Sequence, residues 1–123
     1  MTIEEYKRYQ ESKDTETQIQ KKCVKWFEAK YPKFKGLLNY NLNNSANRVR
    51  GKLNKDLGLQ PGRSDMVFYY NSKALHIEFK TSKGVQSKAQ KDWQQIIEWQ
   101  GFNYVIVRNL SDFKEAIQSM IAN

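Results

Sequence analysis

Two strand-like runs separated by a short polar turn constrain this sequence more than any other feature. The segment "DMVFYYNSKALHIEFK", residues 65–80, carries β-branched and aromatic residues on both sides of Asn71 and Ser72. Such residues favour strands, and a polar pair between two strands favours a tight hairpin turn. The sequence therefore predicts antiparallel strands at 65–70 and 74–80.

The predicted hairpin brings charged side chains together on one face. With the turn centred between residues 71 and 72, Asp65 lies directly opposite Glu78, with Cβ atoms about 4.5–5.5 Å apart. Because side chains alternate along a strand, Glu78 and Lys80 share the face of Asp65. A slip of one residue would break this pairing. The opposite face is predicted to point to the core with Met66, Phe68, Leu75, Ile77 and Phe79.

Two neighbouring carboxylates need an explanation, because ionised acids repel each other. A divalent cation removes the repulsion, and Mg²⁺ is typically held by one or two carboxylates together with water and phosphate oxygens. A zinc site built from cysteine and histidine is excluded because the chain has one histidine, His76, and one cysteine, Cys23. The pattern favours a Mg²⁺ or Mn²⁺ site. The alternative is a solvated strand edge with a Glu–Lys pair.

Further elements are predicted on both sides of the hairpin from apolar periodicity and capping patterns. Before it we expect a charged helix at 2–12, a helix from the capping box of Thr15 and Gln18 to Pro32, a strand at 36–43, and a helix at 45–57 capped by Ser45. After it we expect a helix at 87–100, a buried strand at 102–109 and a helix from Ser111. This order predicts an α/β fold with a mixed central sheet flanked by helices. We expect a single domain over residues 1–123, with residues 1–13 as a peripheral helix.

Each predicted helix after the first has an apolar stripe that we expect to face inward. The stripes are Ile19, Cys23, Trp26 and Phe27; Val49, Leu53 and Leu57; Ala89, Trp93, Ile96 and Ile97; and Phe113, Ala116, Ile117, Met120 and Ile121. Trp99 falls off its stripe and adds to a surplus of large rings for a chain of this size. Such rings are enriched at interfaces, which favours assembly with a partner.

The charge balance indicates a polyanionic partner. Lys and Arg total 21 against 13 Asp and Glu, a formal net charge of +8. Nucleic acid is the first candidate for such a basic chain, and a need for solubility is the alternative. The sequence contains no membrane-spanning run and does not begin like a signal peptide, so we expect a cytoplasmic protein.

Four segments, in order, resemble the VRR-NUC branch of the PD-(D/E)xK nuclease superfamily. They are "PGRSD", "IEFK", "SKGVQSKAQKDW" and "GFNYVIVRN", and the resemblance runs from about Glu16 to the end of the chain. It implies a restriction-endonuclease-like core, and small stand-alone members occur in phage and bacterial genomes. The expected location is thus a bacterial or phage-infected cell. One departure is Ser64, which stands where the family usually has proline before the aspartate.

The resemblance also implies site residues. The catalytic set would be Asp65, Glu78, Lys80, Gln90 and Glu16, and the ligands of Mg²⁺ or Mn²⁺ would be Asp65, Glu78, Glu16 and the backbone carbonyl of Phe79. Glu16 and Gln90 lie at the edges of their helices' apolar stripes, so we expect both to point inward. The alternatives are that Glu16 only favours the helix N-terminus and that Gln90 is an ordinary surface residue.

The implied activity is metal-dependent hydrolysis of phosphodiester bonds in DNA. Lys80 would orient or deprotonate the attacking water, or neutralise charge that develops on the phosphate. Six basic residues are expected to hold the DNA backbone: Arg48, Arg50, Lys52, Lys55, Arg63 and Lys83. By resemblance the protein would be a homodimer that acts on branched DNA, as Holliday-junction resolvases do. The alternatives are a module that binds DNA without cutting it, and a phage assembly protein.

Overall fold

In residues 1–41 and 48–123, which the computed structural model describes, the chain forms a four-stranded sheet and five α-helices. The side chains of residues 48 and 49 lie outside this description. The helices are α1 (Ile3–Glu11), α2 (Glu16–Lys30), α3 (Arg48–Asp56), α4 (Lys88–Trp99) and α5 (Leu110–Ala122). The strands are β1 (Leu38–Tyr40), β2 (Met66–Tyr70), β3 (Lys73–Phe79) and β4 (Asn103–Val107). The order β1-β2-β3-β4, with three antiparallel strands and β4 parallel to β3, confirms the predicted mixed sheet.

Strands β2 and β3 form the predicted hairpin in the predicted register. Tyr70 pairs with Lys73, Phe68 with Leu75, and Met66 with Ile77. The turn residues Asn71 and Ser72 both have positive φ, at 49° and 63°. This is the conformation of a type I′ turn, whose twist matches that of the flanking strands. The local turn chemistry therefore fixes which side chains share a face.

The core lies between one face of the sheet and helices α2 and α5. The five strand residues predicted for the core are all buried, and α2 adds Ile19, Cys23 and Phe27, while α5 adds Phe113, Ile117 and Met120. Helix α2 begins with the predicted capping box, in which Thr15 and Gln18 bond to each other's backbone N–H groups. Burial raises the pKa of the Cys23 thiol to about 12, so this cysteine is a core residue without thiolate reactivity.

Helices α3 and α4 expose several residues predicted to face inward. Ile96 is 51% exposed, and Leu53 and Leu57 are also exposed. On α4 the buried residue is Ile97, which lies on one face of the helix with Ala89 and Trp93, four positions apart. Adjacent residues of a helix point about 100° apart, so Ile96 lies on a different side. Leu53 of α3 is exposed and is not among the residues that pack against the core. The predicted cap Ser45, residues 42–43 of the predicted strand and the side chain of Val49 lie outside the described residues.

Helix α1 is peripheral. It spans Ile3–Glu11, begins with a capping box between Thr2 and Glu5, and has no buried residue. Its C-terminal end is near the loop that follows β3, because Ser82 Oγ donates a hydrogen bond to the carbonyl of Ser12 at 3.2 Å. None of the helices in residues 1–41 and 48–123 is long and apolar enough to cross a membrane.

A close backbone contact fixes the loop before β2 against α4. Gly62 has a φ of 74°, and a Cβ at this position would lie 2.4 Å from the carbonyl carbon of Ala89. Only glycine tolerates both the positive φ and the close approach. Gly62 therefore holds the three residues that precede β2 beside the first turn of α4.

We expect Gly62→Ala to lower the free energy of unfolding more than Gly101→Ala does. Gly101 also has a positive φ, 88°, but no atom lies within 4 Å of its Cβ position, so this control reports backbone strain alone, about 1–3 kcal/mol. Gly62→Ala adds a collision with helix backbone, which cannot move aside as a flexible side chain can. Urea unfolding of the two variants measures the difference. Equal losses would show that the contact with α4 contributes nothing.

Candidate functional site

Asp65 lies where β2 begins, opposite the end of β3. The register that pairs Met66 with Ile77 continues to place Asp65 opposite Glu78, as predicted. Asp65 Oδ2 accepts a hydrogen bond from the backbone N–H of Phe79 at 2.6 Å. The Asp65 carbonyl accepts another from the N–H of Asn41 at 2.8 Å. The carboxylate is thus anchored to the backbone of β3 at the point where the β2–β3 ladder ends.

Glu78 is a buried acid, only 1% exposed, on the face of the sheet opposite the α2–α5 core. Its Oε1 accepts two hydrogen bonds, from the Tyr104 hydroxyl at 2.6 Å and from Gln86 Nε2 at 3.0 Å. Gln86 is itself held by α4, because its Nε2 also donates to Gln94 Oε1 at 2.9 Å. The second oxygen, Oε2, is buried and has no hydrogen-bond partner among the described residues.

Oε2 of Glu78, which has no hydrogen-bond partner among the described residues, indicates what this site can bind. A buried polar atom without a partner costs free energy, about 1–3 kcal/mol or more for a charged group, so such atoms in folded proteins call for a ligand or ordered water. Carboxylate and carbonyl oxygens are the donors that Mg²⁺ and Mn²⁺ prefer. The donor types at Asp65, Glu78 and the Phe79 carbonyl therefore fit such an ion.

The site offers few side-chain ligands. In the part of the chain that the structure describes, no three Asp, Glu, His or Cys side chains are grouped as a metal-binding cluster. Mg²⁺ is usually bound through one or two carboxylates and keeps several waters, whereas Ca²⁺ needs six to eight oxygens. A two-carboxylate site thus suits the smaller ion.

Tyr104 completes the environment of Glu78. It lies on β4 opposite His76 of β3, with the two rings parallel and their centroids 6.5 Å apart. Burial and the hydrogen bond to Glu78 raise the pKa of Tyr104 well above its ordinary value, so its hydroxyl stays protonated and donates to the carboxylate. The sequence analysis missed this residue. The available signal was a tyrosine inside a predicted buried strand, where the hydroxyl needs a partner.

Lys80 follows β3 directly and is 8% exposed. Its backbone N–H donates to the Val107 carbonyl at 3.0 Å, which extends the pairing with β4 by one residue. Alternation along the strand places its side chain on the face of Glu78. Within the described residues its ammonium makes no hydrogen bond or ion pair.

The loop after Lys80 is tied to β4 by an arginine that the sequence analysis also missed. Arg108 Nη1 donates to the carbonyls of Thr81 and Gly84, each at 2.8 Å. A Cβ on Gly84 would lie 3.5 Å from Lys80 Cδ, so the loop packs along the lysine side chain. Arg108 holds this loop, and the loop in turn packs against the Lys80 side chain, so Arg108 helps to position Lys80.

The structure places Glu16 and Gln90 differently from the predicted inward orientation. Glu16 is the first residue of α2 and is exposed, where its charge favours the helix N-terminus. Gln90 Oε1 accepts from the N–H of Ser87 at 2.9 Å and completes the capping box of α4. The glutamine that contacts Glu78 is Gln86. Participation of Glu16 and Gln90 in the site stays a prediction.

Ser64 accounts for the departure from the usual proline. It is fully buried, and its Oγ lies 2.8 Å from His76 Nδ1. Its carbonyl accepts from Asn41 Nδ2 at 3.1 Å. Burial lowers the pKa of His76, which keeps the ring neutral. The hydroxyl thus connects the start of the hairpin to β3, a contact that proline could not make.

The predicted basic residues lie on exposed segments next to this site along the chain. Arg50, Lys52 and Lys55 are exposed on α3, and Lys83 is exposed in the loop after Lys80. Arg63 is half-buried and lines a surface depression of about 220 Å³ together with Asn54 of α3 and Leu57, which directly follows that helix. The C-terminal end of α3 therefore lies beside a residue two positions before Asp65. The side chain of Arg48 is outside the described residues.

A solved structure described as "VRR_NUC domain protein" has the same fold as this chain. The TM-score is 0.72, the comparison covers 89% of each chain, and the sequence identity is 20%. No protein-family model matches the sequence, and no curated protein matches it. The likeness shows that this chain shares the fold of that protein, which confirms the α/β architecture that the sequence resemblance implied.

Proposed function

We propose that this protein is an endonuclease that hydrolyses phosphodiester bonds in DNA and depends on Mg²⁺ or Mn²⁺. The observation that carries this proposal is the buried Oε2 of Glu78, which has no hydrogen-bond partner among the described residues, with Asp65 opposite Glu78 and Lys80 on the same face. A module that only binds DNA, or an assembly protein, has no need for a buried carboxylate with an open oxygen. The VRR_NUC fold supports the same class of activity.

The two carboxylates have one role in this proposal, and Lys80 has another. Asp65, Glu78 and the Phe79 carbonyl would hold the ion, which when bound supplies a Lewis acid for water and for the phosphate oxygens. Lys80 brings a positive charge with no partner among the described residues to the same face. It orients or deprotonates the attacking water, or stabilises charge that develops on the phosphate.

We expect Asp65→Asn and Glu78→Gln each to abolish cleavage of labelled DNA in Mg²⁺ while the fold stays intact. Both changes keep the shape of the side chain and remove a charged ligand, so the loss should exceed about 100-fold, the upper end for loss of an outer-shell partner. Glu115→Gln, an exposed acid on α5, is the matched control and should cut normally. Circular dichroism checks folding. Near-normal cutting by either folded variant would contradict the assignment.

The exposed basic residues suit contact with the phosphate backbone. Arg50, Lys52 and Lys55 lie within six residues on α3, whose end adjoins Arg63. Such contacts position DNA without reading its bases. We therefore propose that α3, Arg63 and Lys83 hold DNA near the site in a way that does not depend on sequence.

We expect Arg50→Ala, Lys52→Ala and Lys55→Ala together to flatten the salt dependence of DNA binding. Each phosphate contact contributes about −0.9 to the slope of log K against log [salt], so the slope of the triple variant should be less steep by roughly 2.5 to 3. A control variant removes the same charge elsewhere, at Lys30, Lys33 and Lys35, which are exposed after the core-facing part of α2. Binding titrations from low to moderate salt measure both slopes. An equal change in the two variants would place the DNA path elsewhere.

An apolar surface at the end of α4 suits a second copy of the chain. Trp99 is 75% exposed, Ile96 is 51% exposed and Phe102 is 43% exposed, and these residues directly precede β4, which lies at the edge of the sheet. Exposed aromatic residues are typical of interface cores. We propose a two-fold homodimer through this surface, which would set two sites, each with Asp65, Glu78 and Lys80, facing opposite strands of a four-way DNA junction.

We expect light scattering at micromolar concentration to give twice the chain mass of 14.6 kDa. Trp99→Glu should give the monomer mass and should lose paired cutting, because a charge replaces the largest exposed ring. Mapping of cuts on a four-way junction and on linear duplex tests selectivity, with symmetric paired cuts on the junction expected. A monomeric wild type, or scattered nicks on linear duplex, would contradict the junction proposal and leave the nuclease proposal standing.

A further inference from the structure

The two oxygens of Glu78 have different environments, and Tyr104 is the main cause. The hydroxyl of Tyr104 lies 2.6 Å from Oε1, a distance typical of a strong hydrogen bond to a carboxylate. Gln86 adds a second bond to the same oxygen at 3.0 Å. Both donors thus converge on Oε1, and Oε2 has no bond within the described residues.

Neither donor can swing freely toward Oε2. Tyr104 is half-buried on β4, paired with His76 across the parallel ladder and parallel to its ring. Gln86 is tied to Gln94 of α4 by its own amide nitrogen. The strand and the helix therefore fix the carboxylate in one orientation before any ion arrives.

We propose that Tyr104, assisted by Gln86, is a positioning residue that sets the metal selectivity of the site: it occupies Oε1 of Glu78 and leaves only Oε2 without a hydrogen-bond partner among the described residues. Mg²⁺ demands near-octahedral geometry and takes few protein ligands, whereas Ca²⁺ readily accepts both oxygens of one carboxylate. Occupation of Oε1 by hydrogen bonds disfavours the two-oxygen mode. The inference rests on the proposed function, since it assumes that Glu78 is a metal ligand.

A purely structural role for the hydroxyl makes a different prediction. If Tyr104 only provided a hydrogen bond to a buried oxygen, its loss would lower the stability of the fold and would weaken the binding of all divalent ions by the same factor. If it selects the ligation mode, its loss should change the ratio of the Mg²⁺ and Ca²⁺ affinities. The ratio is therefore the decisive quantity.

The experiment measures ion binding by the full chain without DNA. Mn²⁺ affinity is measured by electron paramagnetic resonance, and Mg²⁺ and Ca²⁺ affinities by competition with Mn²⁺. For Tyr104→Phe we expect about 10-fold weaker Mn²⁺ and Mg²⁺ binding, within the range for loss of an outer-shell partner, and unchanged or tighter Ca²⁺ binding. Gln86→Leu should shift the ratio in the same direction, and it provides the test if Tyr104→Phe does not fold.

Tyr70→Phe is the matched control. Tyr70 is half-buried on the same sheet, but it packs against Phe68 on the opposite face, so its hydroxyl should not affect ion binding. An unchanged Mg²⁺ to Ca²⁺ ratio in both Tyr104→Phe and Gln86→Leu would overturn the inference.

Glu78→Gln separates this inference from the proposed function. If the wild type binds Mn²⁺ no more tightly than Glu78→Gln does, Glu78 is not a ligand, and both proposals are overturned. If Glu78→Gln loses Mn²⁺ and Tyr104→Phe keeps the wild-type ratio, only the role of Tyr104 is overturned.

Discussion

The pairing register between β2 and β3 is the constraint on which the candidate site depends. Side chains alternate with a period of two, so a slip of one residue would move Glu78 to the core side of the sheet and expose Phe79 on the other. The positive φ angles of Asn71 and Ser72 set this register at the turn. The hydrogen bond from the Phe79 N–H to Asp65 secures it at the open end of the hairpin.

The two faces of the sheet have different roles. One face packs against α2 and α5 in a continuous apolar core, and the opposite face carries the buried acid Glu78. A buried carboxylate is costly unless it is hydrogen-bonded or bound to a cation. Tyr104 and Gln86 offset that cost at one oxygen and leave the cost at the other. The core on the far face can stabilise the fold while this oxygen stays available for a ligand.

Two loops bound the site, and each is held by a contact outside it. Gly62 fixes the loop before Asp65 by close approach to the first turn of α4. Arg108 fixes the loop after Lys80 through two carbonyl groups. Helix α4 takes part in both, since it contacts Gly62 and carries Gln94, which holds Gln86. The carboxylates and the lysine are therefore positioned by rigid elements instead of by the loops that they adjoin.

The hairpin register, the capping box of α2 and the buried faces of α2 and α5 could be predicted from the sequence, because turn chemistry and apolar periodicity act between near neighbours. The polar groups that contact Glu78 could not be predicted, because long-range packing brings them together. Tyr104 reaches it from a strand 26 residues away. The Gln90 side chain bonds to the backbone of Ser87 at the N-terminus of α4, and Gln86 donates the hydrogen bond to Glu78 instead. Ile96 is exposed for a related reason. Periodicity predicted that both Ile96 and Ile97 face inward, but the packing of α4 buries only Ile97.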